Sequence, residues 1–296
     1  MGGAFTPLIA SLEQAGPVGQ SVDAAVEWLL THGQGLFGVV QQGIQALASG
    51  LGWGLALPAP WLLAVGVALA GWRLVGGGFA LFSLLGLNLV LALGLWEPMV
   101  DTLALVLAAS LLALLLGFPL GVLGTRQRWI WRLIRPGLDL MQTMPAFVYL
   151  IPAVMLFSTG AVPAIIATLI FAMPPIVRLT HLGIRQVPAD LVEAGRSFGC
   201  TDLQLLLMVQ LPNALPTVMS GVNQTIMLAL SMVVITSMIG GGGLGDVVLR
   251  GIQQLDVGLG FEGGIAVVIL AVILDRLSQG LSPSHRRKGQ CVTHHG

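Results

Sequence analysis

Charge is what this 296-residue chain has least of: 9% of its residues are Asp, Glu, Lys or Arg, roughly a third of the share in a soluble globular domain. Lysine is reduced to Lys288 alone, and 13 basic residues balance 13 acidic ones. A chain with no net positive charge has no surface for nucleic acid, where phosphate neutralisation dominates binding, so no nucleic-acid partner is expected. Cysteine is nearly absent too. Cys200 and Cys291 stand far apart with no CxxC spacing, which excludes a disulfide framework and leaves no metal site of ordinary spacing. No G-x-x-x-x-G-K-[ST] stretch occurs, so the chain lacks the phosphate-binding loop of ATP-hydrolysing subunits. Its first residues, MGGAFTPLIASLEQAG, lack the basic start and apolar core of a secretory signal, and insertion is expected to depend on the spans themselves.

What is abundant is apolar. Hydrophobic residues make up 55% of the chain, with 40 Gly and 11 Met, and the mean hydropathy is +0.91. That is the composition of an integral membrane protein, and a soluble enzyme is excluded. Stretches near the ~20 apolar residues that a spanning helix needs occur at 59–75, 77–96, 100–123, 138–158, 161–180, 215–239 and 263–280. They predict an all-α protein of about seven transmembrane helices.

The basic residues give a direction. None precedes Arg73; Arg126, Arg128, Arg132 and Arg135 follow the third stretch; Arg178, Arg185 and Arg196 lie in or beside the loop after the fifth. Arg276, Arg286, Arg287 and Lys288 end or follow the seventh, leaving only Arg250 for the opposite side. Basic loops stay in the cytoplasm, so the N-terminus is expected outside and the C-terminus inside. The cluster Arg126–Arg135, interleaved with Trp129 and Trp131, reads as an anchor at the inner lipid interface.

Three regions follow. Residues 1–58 form an outside tail in which Val22, Val26, Leu29, Leu30, Phe37, Val40, Ile44 and Leu47 recur at helical spacing. This predicts an amphipathic helix, N-capped by Ser21, that packs on the spans as a scaffold. Residues 59–280 form the membrane domain, and 281–296 a polar cytoplasmic tail.

A long polar loop, 181–214, interrupts the apolar chain: HLGIRQVPADLVEAGRSFGCTDLQLLLMVQLPNA. Pro188 stops the preceding helix, and Asp190 starts a short one with its carboxylate near the positive helix end. Gly199 ends that helix. Thr201 caps a second helix, expected to be broken by Pro212 and Pro216. Glu193 and Arg196, three apart, are spaced for a solvated pair worth a few tenths of a kcal/mol.

Glu193-Ala194-Gly195, Arg196-Ser197-Phe198-Gly199 and then Gln210-Leu211-Pro212 resemble the EAA loop of ABC importer permeases, with Gly195 in place of the second Ala. The blocks MQTMPAFVYLIPAVMLF (141–157), FAMPPIVRLTHLGIRQVPADLVEA (171–194), GVNQTIMLALSMVVI (221–235) and GGGLGDVVLRGIQQLD (241–256) are similar to the permease subunit of the glycine betaine/proline betaine ABC importers. The resemblance covers about 85–280. It implies a type I importer fold in a bacterial inner membrane and a non-catalytic subunit that binds no cofactor itself. It also implies a homodimer served by two ATPase subunits carrying ATP-Mg and by an outside substrate-binding protein. The short helix becomes the coupling helix that docks on the ATPase, with Asp190, Glu193, Ala194, Gly195, Arg196, Ser197, Gly199 and Pro212 as its candidate residues.

A translocation path is assigned from polar and aromatic residues on the fourth and sixth stretches: Gln142, Thr143, Met144, Phe147, Tyr149, Asn223 and Ser231. A quaternary ammonium favours aromatic faces, whereas Ser, Thr, Asn and Gln in spans more often join helices. The run Gly240–Gly243 with Gly245 reads as a tight turn at the outer gate. Choline, carnitine or another quaternary amine is the alternative solute. A secondary transporter would carry inverted repeats and intramembrane ionisable groups, and a tension-gated channel would not need the coupling loop.

Overall fold

The structure is a computed structural model and describes residues 16–281; residues 1–15 of the predicted tail, and 282–296 of the predicted polar tail, lie outside the described residues. Every regular element among the described residues is helical. In chain order they are α1 (Gly16–Ala56), α2 (Pro60–Leu74), α3 (Gly77–Ala92), α4 (Trp96–Arg126), α5 (Arg128–Thr143), α6 (Ala146–Phe157) and α7 (Ala161–Arg185). Then come the short α8 (Ala189–Ser197), the long α9 (Asp202–Ser231), α10 (Val233–Ser237), α11 (Leu244–Gln254) and α12 (Val257–Gly280).

Four helices, α4, α7, α9 and α12, are individually long and apolar enough to cross a bilayer. The remaining predicted spans take other forms. α2 has 15 residues and α3 has 16, which at about 1.5 Å per residue makes each shorter than the ~30 Å hydrocarbon core. They pack against each other as a hairpin whose turn meets the far end of α12: a Cβ at Gly280 would lie 3.0 Å from Leu74 Cβ. The predicted span 138–158 is two helices, α5 and α6, bent by 102°. Met144 adopts extended backbone before Pro145, as the residue preceding a proline must when the ring crowds its helical conformation. α1 and α2 meet at 93° across Pro58.

α1 begins at Gly16, ahead of the Ser21 cap that the sequence suggested. Its apolar face lies on α4, α6 and α7, with Ile44 buried and Phe37 edge-on to Phe157 at 5.7 Å.

The centre is the crossing of α4 and α7, with α9 packed along α7 and against α4. Lipid offers no hydrophobic drive for helix association, so close backbone approach has to supply it. Gly117, Gly121 and Gly124 give α4 a stripe without side chains. A Cβ at Gly121 would sit 2.8 Å from the Val177 carbonyl oxygen and 2.7 Å from Thr180 Cβ. At the opposite end, Gly240, Gly242 and Gly243 take positive φ of 85°, 79° and 73°, forming the predicted tight turn. It is pinned where the Leu244 N–H donates to Thr102 Oγ1 at 2.7 Å and the Gly160 N–H to the Ile239 carbonyl at 2.9 Å.

Candidate functional site: the coupling loop

The loop between α7 and α9 is built from backbone rules. α7 ends at Arg185, and Pro188, with φ −52° and ψ 135°, occupies the N-cap of α8, where its missing N–H costs no helical bond. The Leu191 N–H returns to the Pro188 carbonyl at 3.2 Å, and Asp190 stands in the first turn. At the other end Gly199 turns left-handed, φ 81°, and the Cys200 N–H closes onto the Gly195 carbonyl at 3.1 Å. This left-handed stop favours glycine because it has no Cβ to strain. Thr201 then starts α9 with a reciprocal cap: its N–H donates to Gln204 Oε1 at 2.9 Å and its Oγ1 accepts from the Gln204 N–H at 3.4 Å.

α9 corrects the sequence reading beyond that point. Neither Pro212 nor Pro216 breaks it; it runs unbroken from Asp202 to Ser231. Leu205–Gln210 is a π-turn in which the Leu211 N–H reaches back to the Leu206 carbonyl. The wider turn shifts the register so that Pro212 falls at the start of the next α segment, where its missing N–H interrupts nothing.

α8 rests on one face. Gly195 is buried, and a Cβ there would lie 2.7 Å from Leu205 Cδ1 and 3.4 Å from Val209 Cγ2. Gly195 therefore lets α8 lie directly on the first turns of α9. The opposite face is open: Asp190, Glu193, Ala194, Arg196 and Ser197 are exposed, and Phe198 is 90% exposed. The Glu193–Arg196 pair suggested by spacing does not form. Arg178–Asp139, at 2.6 Å, is the only ion pair among the described residues. Arg196 instead lines a cleft of about 600 Å³ shared with Arg126, Val192 and Asp202, where Arg126 Nη2 donates to the Asp202 carbonyl at 3.3 Å. Glu193 is left with an unpaired carboxylate on the free face, and Ser197 Oγ bonds only its backbone carbonyl, at 2.9 Å. Pro212 is also exposed but sits on α9, outside the short helix.

The path candidates scatter. Gln142 reaches from α5 to α7, donating through Nε2 to the Phe171 carbonyl at 2.9 Å. That carbonyl is freed because Pro175, four residues on in α7, has no N–H to offer it. Thr143 bonds its own helix at Leu140, and Met144 is half-buried at the α5–α6 corner. Phe147 is exposed, whereas Tyr149 is 6% exposed in a cluster with Leu150, Ala167 and Met232. Asn223 and Ser231 are not brought together. Ser231 is exposed and bonds the Leu228 carbonyl at 2.7 Å. Asn223 faces α12, donating to Asp275 Oδ1 at 3.2 Å and accepting from Ser278 Oγ.

Asp275 was missed in the sequence. It lies inside the predicted stretch 263–280, and Gln279 also donates to its Oδ1, at 2.7 Å. A carboxylate in an apolar run was itself the signal. His181 is buried and stacked on Trp131 with ring centroids 3.6 Å apart.

The family described as "Binding-protein-dependent transport system inner membrane component" matches residues 117–287. The glycine betaine/proline betaine transport system permease protein ProW of Escherichia coli (strain K12) is 50% identical over 274 residues, 92% of this chain and 77% of that one. The glycine betaine transport system permease protein OpuAB of Bacillus subtilis (strain 168) is 45% identical over 273 residues, 92% of this chain and 97% of that one. Among solved structures, the MetNI methionine ABC transporter in an inward-facing conformation aligns with TM-score 0.57 and 22% identity, covering 62% of this chain and 92% of that one; this likeness establishes the type I permease fold. With its helical core, its capped α7–α9 loop and these relatives, the chain belongs to the binding-protein-dependent transport system inner membrane components, the ABC permease family that includes the glycine betaine/proline betaine permeases.

Proposed function

We propose that this chain is the membrane permease of an ATP-driven importer of glycine betaine, proline betaine or a closely similar compatible solute. It lies in a bacterial inner membrane with its N-terminus outside and its C-terminus inside. Two copies form the conducting unit, two ATPase subunits bind and hydrolyse ATP-Mg, and an outside binding protein delivers the solute. The chain itself binds no cofactor. The carrying observation is α8: a short helix locked at both ends, seated through Gly195 on α9, with an unpaired Glu193 and a solvent-facing Phe198 on its free side. A helix so held moves as one body with α9 when a partner grips it. Closure of the ATPases on ATP pulls α8, and α9 carries the displacement into the core around α7, exchanging outward for inward access.

The test is uptake of labelled glycine betaine into proteoliposomes holding this chain, its ATPase and its binding protein. ATP is supplied on the ATPase side. ATP-dependent uptake competed by proline betaine, and not by choline or carnitine, is the expected result. An assembled, ATP-hydrolysing complex that moves no betaine refutes the solute assignment and leaves the family membership standing.

A further inference from the structure

At the end of the bundle opposite α8, the second half of α1, the start of α4 and the α6–α7 turn enclose a cavity of about 540 Å³ that the transport reading does not use. Gln41 and Gln45 line it from α1, Asp101 from α4, and Phe157 and Thr159 from the end of α6 and the turn after it. No basic side chain lines it among the described residues, and Asp101 belongs to no ion pair among them. The side chains of Gln41, Gln45 and Thr159 likewise have no hydrogen-bond partner among the described residues.

The cavity has two electrical poles. Asp101 supplies the negative one. The first turn of α7 supplies the other: Ala161 and Val162 line the cavity, and no side chain caps this helix start. The leading N–H groups of a helix have no partner within it and carry its positive end. Gly160 donates its own N–H to the Ile239 carbonyl at 2.9 Å, and Pro163 has none, so Ala161 and Val162 hold the free donors. Both walls are fixed in place. Thr102, next to Asp101, accepts the Leu244 N–H at 2.7 Å, and Phe157 is 8% exposed, held edge-on by Phe37.

A cation alone in this space meets Asp101 and leaves the helix start unanswered. An anion alone meets the helix start and is repelled by Asp101. A zwitterion satisfies both poles. We propose that the cavity binds a small zwitterion with a bulky ammonium and a carboxylate. Asp101 faces the ammonium, the Ala161 and Val162 N–H groups hold the carboxylate, and Phe157 offers an aromatic ring to the cation. Gln41, Gln45 and Thr159 complete a polar lining that adapts to either end of the ligand. No group of three or more His, Cys, Asp or Glu able to hold a metal ion occurs among the described residues, so the donor set suits an organic cation. The volume falls within the ~300–1,000 Å³ of small-molecule sites. The choice of a betaine as this zwitterion, and its arrival from outside, rest on the proposed function. An occupant would touch α1, α4 and α7 at once and so tie the N-terminal helix to the core.

The test uses the purified full chain in detergent, without the binding protein. Equilibrium dialysis reads the binding of labelled glycine betaine, of choline, which lacks the carboxylate, and of tert-butylacetate, in which carbon replaces the ammonium nitrogen. Hydrogen exchange over 41–52, 101–105 and 157–165 reads the location. Betaine is expected to bind about tenfold more tightly than either partial analogue and to protect all three segments. Asp101→Asn, at an exposed position, should weaken betaine and choline about tenfold. Ala161→Pro removes one donor at a helix position that tolerates proline; it should weaken betaine about fivefold and leave choline unchanged. Glu262→Gln on α12 should change neither. The proposal is overturned if the wild-type chain, melting cooperatively, binds no betaine saturably, or if protection falls outside the three segments. Asp101→Asn that retains betaine as well as wild type overturns it too, as does choline binding as tightly as betaine. Uptake by the full complex is measured in parallel: uptake without binding to the chain alone overturns the site and leaves the transport reading standing, and binding without uptake does the reverse.

Discussion

Gly121 offers the sharpest test of how the core holds together. An alanine at that position would place its Cβ 2.7 Å from Thr180 Cβ and 2.8 Å from the Val177 carbonyl oxygen, where carbon contacts settle near 3.5–4.0 Å. A rotamer change cannot relieve this, because one of the two atoms is backbone. α4 and α7 must separate by several tenths of an ångström to 1 Å, and contacts along the seam lose a quarter to a half of their dispersion energy over such a gap. Overpacking of this kind costs about 1–3 kcal/mol. For a chain of this size that is a fall in melting temperature of roughly 2–10 °C. The assay is thermal unfolding of the purified protein in detergent, followed by intrinsic fluorescence. Gly66→Ala in α2 is the matched control: nothing lies within 4 Å of that position, and exchanging glycine for alanine inside a helix gains up to about 1 kcal/mol. Adding Thr180→Gly to Gly121→Ala removes the Cβ contact, leaves the carbonyl one, and should restore only part of the loss. Gly121→Ala melting at or above wild type would refute close packing as the basis of this seam, and so would an equal fall in Gly66→Ala.

Three further outcomes follow from the polar contacts. Glu193→Lys inverts an unpaired charge on the free face of α8 without touching Gly195; the assembled complex should still hydrolyse ATP while solute uptake drops at least tenfold, measured in the proteoliposome assay. Gln142→Leu leaves the Phe171 carbonyl unsatisfied beside Pro175 and should destabilise by about 1–3 kcal/mol, read as a lowered melting temperature. A double-mutant cycle on Asn223→Ala and Asp275→Ala should give a coupling of about 0.6 kcal/mol, the usual size for polar pairs between membrane helices; strict additivity would show that α9 and α12 are not joined there.

Local rules made the coupling loop readable. Pro188, Asp190, Gly199 and Thr201 each act on the backbone within a few residues, and the structure finds each where its chemistry puts it. The apolar stretches likewise all fall on helices, because length and hydropathy need no partner. The misread features depend on what lies across the bundle. The stretch 138–158 reads as one span, yet Pro145 marks a corner of 102°, since α5 carries three arginines, charges that a bilayer core disfavours. Pro212 reads as a breaker, yet a π-turn two residues earlier resets the register around it. Asn223 and Ser231 are both path candidates by sequence, but only Asn223 meets α12. The contacts of Asp275 and His181 lie with Asn223 and Trp131, far away in the chain, where local spacing does not reach.

The π-turn also decides the mechanics of the molecule. By absorbing Pro212 it makes α9 one continuous helix of 30 residues, about 45 Å long, with α8 fastened at one end and the α7 contact further along. A continuous helix passes a push along its length. It turns a tilt into travel, and a rotation of about 5° at the docked end displaces the other by on the order of 4 Å. In the transport mechanism proposed above, gearing of that kind links small closures in one compartment to an opening in another, and the stiffness of Leu205–Gln210 sets how faithfully it does so.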